Sequence, residues 1–336
     1  MRCTVWKNKI VWLLPLFMLI FFCGCSKNKT ETIQFFSMDT IMQMTAYGDH
    51  AADALPQARK TVEELDTQFN ATNADSVLSK LQDGDVLPEN ILSVLQTAQM
   101  LSRATDGALD ITLYPLTNAW GFYTKDYRVP TSEECKKLLQ SRGTWSLSEN
   151  IFHIQEGTKL DLGSVAKGYA GMCAADTLRQ NGVTSAILSL GGNVQTVGLK
   201  PNGKNWTVAV TDPLNPNSSV CTLSVGEGAV VTSGSYQRNF TENGKTYHHI
   251  LDPQTGRPVE NDLLSVTVFC EDGTIADGLS TALFVMGPEK AEQFCLTSDI
   301  SFDALFISKD KNITYTKGFA SGFELTDETY STTLFF

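Results

Sequence analysis

The chain has 336 residues, of which 42% are hydrophobic and 19% are charged, and this is the composition of an ordinary globular protein. Its formal charge of −11 at pH 7 disfavours binding to nucleic acid through the general electrostatic field, although a local site can still hold a phosphate. The length suits one large domain or two closely joined ones.

The N-terminus is predicted to be a targeting segment rather than part of the fold. A short basic stretch precedes an apolar run of 13 residues, from Ile10 to Phe22. This run is shorter than the stretch of about 20 apolar residues that a transmembrane helix needs. Cys25 follows this run after Cys23 and Gly24, and a polar segment comes next, as at a lipoprotein cleavage site. We therefore expect residues 1–24 to be a lipoprotein signal peptide. An ordinary signal peptide or an uncleaved anchor is the alternative.

Cleavage before Cys25 would make this cysteine the lipidated N-terminus, followed by a tether over residues 25–32. Two or more acyl chains hold a protein stably on a membrane surface. The expected location is therefore the extracytoplasmic face of the cell membrane, with the membrane as a partner through the lipid anchor.

Cysteine usage beyond Cys25 favours buried thiols over a metal site. The mature chain would keep an odd number of further cysteines with no C-x-x-C pair, which argues against zinc and against a complete disulfide framework. Most lie in apolar surroundings, and one disulfide remains compatible with an extracytoplasmic protein. These residues are Cys135, Cys173, Cys221, Cys270 and Cys295.

Hydrophobic periodicity predicts both helices and strands after the tether. The predicted helices are Ala51–Phe69, Ser76–Leu81, Glu89–Thr105, Thr131–Gln140, Val165–Gln180, Ile275–Met286 and Pro288–Leu296. The predicted strands are Thr32–Gly48 with a break near Met38-Asp39, Leu109–Leu113, a hairpin over Ile151–Leu162 turning at Glu156-Gly157, Ser185–Leu190, Trp206–Val210, Val220–Val225, Ala229–Ser233, Thr246–Leu251, Leu264–Cys270, Ala304–Ser308 and Asn312–Thr316. Because several strands follow one another in the second half, the pattern predicts an α+β fold rather than a regular βαβ winding.

The stretch LDLGSVAKGYA, from Leu160 to Ala170, is predicted to run from a buried strand directly into a helix. Ser164 occupies the expected N-cap position, and Gly163 lets the backbone approach another group closely. Lys167 falls in the first helical turn, where the helix dipole favours anions over cations. A phosphate site, in which free N–H groups and the lysine act together, and an ordinary surface lysine both fit this pattern.

A second candidate site lies in ADGLSTALFVMG. Asp277 and Thr281 are four residues apart and share one face of a helix, with Ser280 beside them. A carboxylate and a hydroxyl are hard oxygen ligands of the kind that Mg²⁺ prefers. The alternative is local structure, with Asp277 capping the helix and a hydroxyl bonded to the preceding turn.

Two further segments are compatible with a ligand site. His249 lies on a strand that runs into an Asp-Pro-x-Thr-Gly turn, and a histidine can act as a base or orient a phosphate. A structural strand histidine is the alternative. The paired glycines of SLGGN, from Ser189 to Asn193, allow close approach to a ligand.

Six segments in a fixed order add a family resemblance. They are MDT at Met38, DGALDIT at Asp106, LDLGSVAKGYA at Leu160, SLGGN at Ser189, HILDPQTG at His249 and ADGLSTALFVMG at Ala276. Together they resemble the ApbE family of FAD:protein FMN transferases, which are often membrane-anchored lipoproteins. The resemblance covers nearly all of the mature chain. It implies an ApbE-like (T-fold-like) single catalytic unit over residues 33–336, with mixed, mainly antiparallel sheets packed with helices.

The resemblance implies a defined reaction. The family binds FAD and Mg²⁺, splits the pyrophosphate and passes FMN to a threonine or serine hydroxyl of an acceptor protein, releasing AMP. FAD is then a substrate and Mg²⁺ a cofactor. The acceptor would be a flavoprotein, either a redox-driven pump subunit or another extracytoplasmic flavinylated protein, and no nucleic acid is expected as a partner.

The resemblance also implies site residues, matched position by position. Asp277, Thr281 and the carbonyl of Ser164 correspond to metal ligands, with Ser280 close by. His249 corresponds to a histidine thought to act in transfer, as a base or as an acceptor-orienting group. The implied FAD contacts are Met38, Ala108, Leu109, Asp110, Asp161, Lys167 and Leu251 or its neighbour Ile250.

One position departs from the family pattern. The family often has an aromatic residue near the flavin after its first long helix, and here Thr72 or Phe69 matches it. If Thr72 is the match, hydrolysis of FAD to FMN and AMP by an FAD diphosphatase becomes a stronger alternative. A non-catalytic FAD-binding lipoprotein is the third hypothesis.

Overall fold

The computed structural model describes residues 29–335, so the expected signal peptide, the lipidation site at Cys25 and residues 25–28 of the tether lie outside the described residues. Its helices are α1 (Ala51–Phe69), α2 (Val77–Lys80), α3 (Glu89–Ala104), α4 (Tyr114–Ala119), α5 (Ser132–Ser141), α6 (Ala166–Gln180) and α7 (Gly273–Thr297). No helix within residues 29–335 has the length and apolar character needed to cross a membrane.

The strands of the same residues form one large sheet and three small ones. They are β1 (Thr30–Ser37), β2 (Thr40–Tyr47), β3 (Trp145–Ser148), β4 (Ile151–Ile154), β5 (Ala186–Leu190), β6 (Asn193–Val197), β7 (Trp206–Asp212), β8 (Asn215–Val225), β9 (Ala229–Gly234), β10 (Asn239–Glu242), β11 (Lys245–His248), β12 (Leu263–Cys270), β13 (Asp303–Ser308), β14 (Asn312–Tyr315), β15 (Phe323–Leu325) and β16 (Ser331–Leu334).

A nine-stranded sheet forms the centre of the fold, in the order β1-β2-β5-β6-β9-β12-β13-β14-β16. All of its neighbours pair antiparallel except β14 and β16. Helix α6 packs against both α1 and α7, and all three helices pack against this sheet. The three-stranded sheet β15-β8-β7 shares a second apolar cluster with residues of β9, β13 and β14. The predicted α+β class with mainly antiparallel sheets is therefore confirmed.

Most predicted elements are present within a few residues of their expected bounds. The break between the two C-terminal helical segments falls at Gly287, which has φ +76° and is followed by Pro288, so α7 is two helices joined at a kink. The five cysteines in the described part of the chain are all free, and Cys135, Cys221 and Cys270 are buried. The buried-thiol interpretation therefore holds for these three.

Two predicted extended segments are wrong. Leu109–Leu113 forms turns that lead into α4. The hairpin turns at Glu149-Asn150 rather than at Glu156-Gly157, pairing β4 with β3. Both turn residues have positive φ, 50° and 65°, as a two-residue hairpin turn requires, and no periodic pattern marks such a turn.

Helices α6 and α7 approach closely because glycines lie where they meet. A Cβ added to Gly168 would lie 2.0 Å from the carbonyl oxygen of Gly273 and 2.7 Å from the Cβ of Asp277. Backbone atoms cannot yield as a flexible side chain does, so the helices would have to separate.

We expect Gly168→Ala to lower the free energy of unfolding by about 3 kcal/mol, because overpacking at a backbone contact displaces whole elements. Urea unfolding measures this change. Gly226→Ala is the matched control, since a Cβ at Gly226 meets nothing within 4 Å and its φ is not in the left-handed region. Equal stability of the two variants would show that the close contact of α6 and α7 is unimportant.

Candidate active site

A cavity of about 760 Å³ opens between the N-terminal end of α6, the β1–β2 turn, the β9–β10 segment and the residues after β11. Cavities of this size accommodate a cofactor-sized ligand. Of the residues singled out in the sequence, those that line it are Met38, Ala108, Leu109, Asp110, Asp161, Ser164, Lys167, Ser189, Asn193, His249, Ile250, Leu251, Asp277 and Thr281. The structure therefore brings together segments that lie more than 200 residues apart in the chain.

Asp277 joins the two helices at the cavity wall. Its side chain is 4% exposed, and Oδ2 accepts a hydrogen bond from the backbone N–H of Gly168 at 2.8 Å. Burial raises the pKa of Asp277, while Lys167 and the Gly168 N–H act in the opposite direction. The helix cap is Asp272, whose side chain accepts from the N–H groups of Thr274 and Ile275. The capping interpretation of Asp277 is therefore wrong.

Hydroxyl groups surround the next turn of α7. Ser233 Oγ on β9 lies 2.8 Å from Ser280 Oγ and 3.1 Å from Thr281 Oγ1. Ser280 also donates to the carbonyl of Asp277 at 2.8 Å. Thr281 and Ser233 line the cavity, whereas Ser280 is fully buried behind them.

The turn before α6 differs from the prediction. The helix begins at Ala166 with Val165 as its N-cap and no side-chain cap, so Ser164 does not cap it. Ser164 instead lies on the cavity wall with Gly163. The physical reason is local: the N–H groups of Val165 and Ala166 both bond to the carbonyl of Leu162, so a separate turn precedes the helix, and the Val165 carbonyl accepts the first helical bond from the Tyr169 N–H.

Lys167 lies in the first turn of α6 and is half-buried on the cavity wall. Its charge lowers the pKa values of both Asp277 and His249, so the ammonium lies near each of them. The positive end of the α6 dipole disfavours a cation at this position. The buried carboxylate of Asp277 offsets this unfavourable interaction. The Lys167 ammonium favours an anion in the cavity, whereas the N–H groups of Val165, Ala166 and Gly168 are already bonded to Leu162 and Asp277.

His249 has a defined tautomer. Its Nδ1 lies 3.2 Å from the carbonyl oxygen of Arg238, and because a carbonyl accepts only, Nδ1 carries the proton and donates. Burial and the positive charges of Arg238 and Lys167 lower the pKa of His249 to about 3. The ring is therefore neutral near pH 7, and the lone pair of Nε2 is free to accept a proton.

The turn between β1 and β2 places Met38 at the cavity. Met38 and Asp39 have φ of 47° and 59°, a left-handed conformation that non-glycine residues seldom adopt. Asp66 on α1 holds this turn, because its Oδ2 accepts from the Met38 N–H at 2.8 Å and from Ser37 Oγ at 2.9 Å. The strained turn is thus fixed from the helix beneath it.

Thr72 lies apart from this cavity. It is exposed, and its N–H and hydroxyl both bond to Asn70 Oδ1, at 2.9 and 2.7 Å. Phe69, the other alignment, is 5% exposed and packs against Tyr169 with ring centroids 5.8 Å apart. Neither lines the cavity, so the structure brings together all of the predicted flavin contacts except this one.

Among the residues that sequence reasoning did not single out, three bond to predicted site residues in the cavity or its support: Asp66, Ser233 and Arg238. Their partners Met38, Thr281 and His249 lie 28, 48 and 11 residues away along the chain. None of these three residues lies in a recognisable local sequence motif. Their roles become visible only from their tertiary contacts in the structure.

The donor set fits Mg²⁺. Asp277, Thr281 and the backbone at Ser164 supply only hard oxygen atoms, and Mg²⁺ keeps several waters or phosphate oxygens beside one or two protein carboxylates. The Gly168 N–H bonds to Asp277 Oδ2, and Asn193 and the Lys167 N–H also lie close to this carboxylate. Within residues 29–335 no cluster of three or more His, Cys, Asp or Glu side chains that could hold a metal exists, as expected when hydroxyl and carbonyl oxygens complete the ligand set.

The fold and the cavity are those expected of a protein with a site for a cofactor-sized, anionic ligand between a sheet and its covering helices. The chain belongs to the ApbE family, whose model matches residues 38–306.

Characterised relatives and solved structures agree with this assignment. The chain is 30% identical over 301 residues to the FAD:protein FMN transferase of Escherichia coli strain K12, covering 82% of this chain and 86% of that protein. It is 31% identical to the enzyme of the same name from Vibrio cholerae serotype O1, over 83% and 88%. The ApbE protein of Thermotoga maritima superposes with a TM-score of 0.80 at 29% identity, covering 88% of this chain and 99% of that one. For the flavin transferase ApbE of Vibrio cholerae, the TM-score is 0.73 at 28% identity, over 88% and 96%.

Proposed function

We propose that this protein transfers FMN from FAD to a threonine or serine hydroxyl of an acceptor protein and releases AMP. The observation that carries the proposal is the meeting of Lys167, His249 and Asp277 in one cavity of a fold shared with FAD:protein FMN transferases. The acceptor is proposed to be an extracytoplasmic flavoprotein, such as a subunit of a redox-driven pump.

Asp277, Thr281 and the carbonyl of Ser164 are proposed to hold Mg²⁺. When bound, this ion neutralises the pyrophosphate and stabilises the departing AMP. The chain's own contribution is to fix the donors: the Gly168 N–H orients one oxygen of Asp277, and Ser233 orients the hydroxyl of Thr281.

His249 is proposed to act as the base. Its Nε2 takes the proton from the acceptor hydroxyl, whose oxygen forms a bond to the FMN-side phosphorus while the bond from that phosphorus to the AMP phosphate breaks. Burial is the main cause of the lowered pKa of His249, and bound pyrophosphate would offset the smaller contribution of the charges of Arg238 and Lys167.

The lipid anchor and the extracytoplasmic location belong to the same proposal. Their support is Cys25, which follows an apolar run after Cys23 and Gly24, and the polar residues from there to Thr30, where β1 begins within the predicted tether. A short tether keeps the enzyme near acceptor domains at the membrane surface.

The proposal is tested by incubating the chain without residues 1–25 with FAD, Mg²⁺ and a candidate acceptor domain, and by following AMP and free FMN. AMP formed only with the acceptor, without free FMN, supports transfer. AMP with free FMN and an unmodified acceptor supports the diphosphatase instead. Intact bound FAD with no AMP would overturn both catalytic functions.

Lys167→Ala is expected to raise the dissociation constant for FAD about 10- to 100-fold, because a charge-assisted contact to phosphate contributes about 1.5–3 kcal/mol. Titration of flavin fluorescence measures this constant. Lys60→Ala on the exposed face of α1 is the control, since Lys60 pairs only with Glu64 across one helical turn. Equal affinity of the two variants would remove Lys167 from the site.

A further inference from the structure

The guanidinium of Arg142 connects two segments of the cavity wall, and Arg142 itself does not face the cavity. Nη1 of Arg142, which follows α5, lies 2.9 Å from Asp110 Oδ2 and donates to the carbonyl of Pro253 at 2.8 Å. Asp110 belongs to the 108–110 wall of the main cavity, and Pro253 lies two residues after Leu251, which lines the same cavity. One side chain therefore sets the spacing between these two segments.

The carboxylate of Asp110 is fully engaged by the protein. Oδ1 accepts from the N–H and hydroxyl of Thr112 at 2.8 and 2.7 Å, and Oδ2 faces Arg142. The side chain of Asp110 is 15% exposed and that of Arg142 is 29% exposed, so the pair is partly removed from water. A contact between Asp110 and FAD is therefore expected through the backbone.

Arg142 does not line the main cavity. It lines a second cavity of about 670 Å³, which shares Ala108, Asp110 and Val285 with the main one. The 108–110 segment is thus a partition with the substrate cavity in front and Arg142 behind it. An unpaired carboxylate in this partition would repel the pyrophosphate of a dinucleotide.

We propose that Arg142 is a positioning residue for the FAD site. It neutralises Asp110 and ties the 108–110 wall to the segment that follows His249. This inference rests on the proposed function, because neutralising the charge of Asp110 in the cavity wall matters only if the ligand is the anionic FAD.

Arg142→Gln is expected to raise both the Kd and the KM for FAD about 10-fold, since like charges across a binding site are strongly unfavourable. The kcat should change much less, because the contacts of His249 and Asp277 do not include Arg142. Arg142→Lys keeps the charge and should bind FAD nearly as well as the wild type. The double variant Asp110→Asn with Arg142→Gln removes the unpaired charge, so it should recover most of the lost affinity.

Flavin fluorescence titration and AMP-release kinetics at saturating Mg²⁺ measure these effects on folded protein. Arg179→Gln is the matched control, because Arg179 pairs with Glu227 and Asp176 on the outer surface and lines neither cavity. Unchanged affinity of Arg142→Gln overturns the inference, as does a loss of kcat at unchanged KM. Lost affinity that neither Arg142→Lys nor the double variant recovers also overturns it. If the wild type itself fails to bind FAD, the proposed function falls and the inference falls with it.

Discussion

Replacing Asp277 by asparagine is expected to lower the Mg²⁺-dependent rate of AMP release by about 10³-fold while the protein remains folded. The carboxylate is 4% exposed, and burial raises its pKa, so the folded state bears a cost for the charge at neutral pH. Asparagine avoids that cost, and its Oδ1 can still accept the hydrogen bond from the Gly168 N–H. The free energy of unfolding should therefore stay level or rise while activity is lost.

The chain offers a matched control on the same helix. Asp272→Asn is the same substitution five residues earlier, at the N-cap of α7, where asparagine caps as well as aspartate. Asp272 does not line the cavity, so its variant should keep full activity. Activity of Asp277→Asn within tenfold of the wild type would contradict the metal assignment. AMP release gives the rate, and urea unfolding gives the stability.

Replacing His249 by alanine is expected to slow FMN transfer about 10²- to 10⁴-fold, the usual contribution of a general base. FAD affinity should change little, because the proposed role concerns the proton of the acceptor hydroxyl. Kinetics of acceptor flavinylation and a separate FAD titration distinguish the two effects.

His153→Ala is the control for this variant, since His153 lies on β4 beside Asp83 and away from the cavity. Loss of FAD binding in His249→Ala would make the histidine a substrate contact rather than a base. Transfer at the wild-type rate would exclude any catalytic role for it.

The elements that were predicted correctly from the sequence are those determined by local residue patterns. The apolar spacing of Ala51–Phe69 gives α1 with the same bounds, and the Gly287-Pro288 pair gives the kink in α7. Strand β6 was missed because it follows two glycines, and the hairpin of β3 and β4 was misplaced because Glu149 is not a typical residue of such a turn, whereas Glu156-Gly157 offers a glycine.

The site was predictable where its residues share one motif. Asp277 and Thr281 face the same way because helical geometry places residues four apart on one face. By contrast, the Ser164 cap was wrong, because a separate turn closed on the Leu162 carbonyl precedes the helix and leaves Val165 as the N-cap. Arg238, Ser233 and Arg142 were missed, because each acts on a residue from a different element.

Intact-mass spectrometry of the acceptor is the most direct test of FMN transfer. An acceptor domain and its variant with the target threonine replaced by valine are each incubated with this protein, FAD and Mg²⁺. We predict that the threonine form gains the mass of one phosphoester-linked FMN with one AMP released per acceptor, and that the valine form stays unmodified. An unmodified threonine form in the presence of AMP and free FMN would contradict the transfer function.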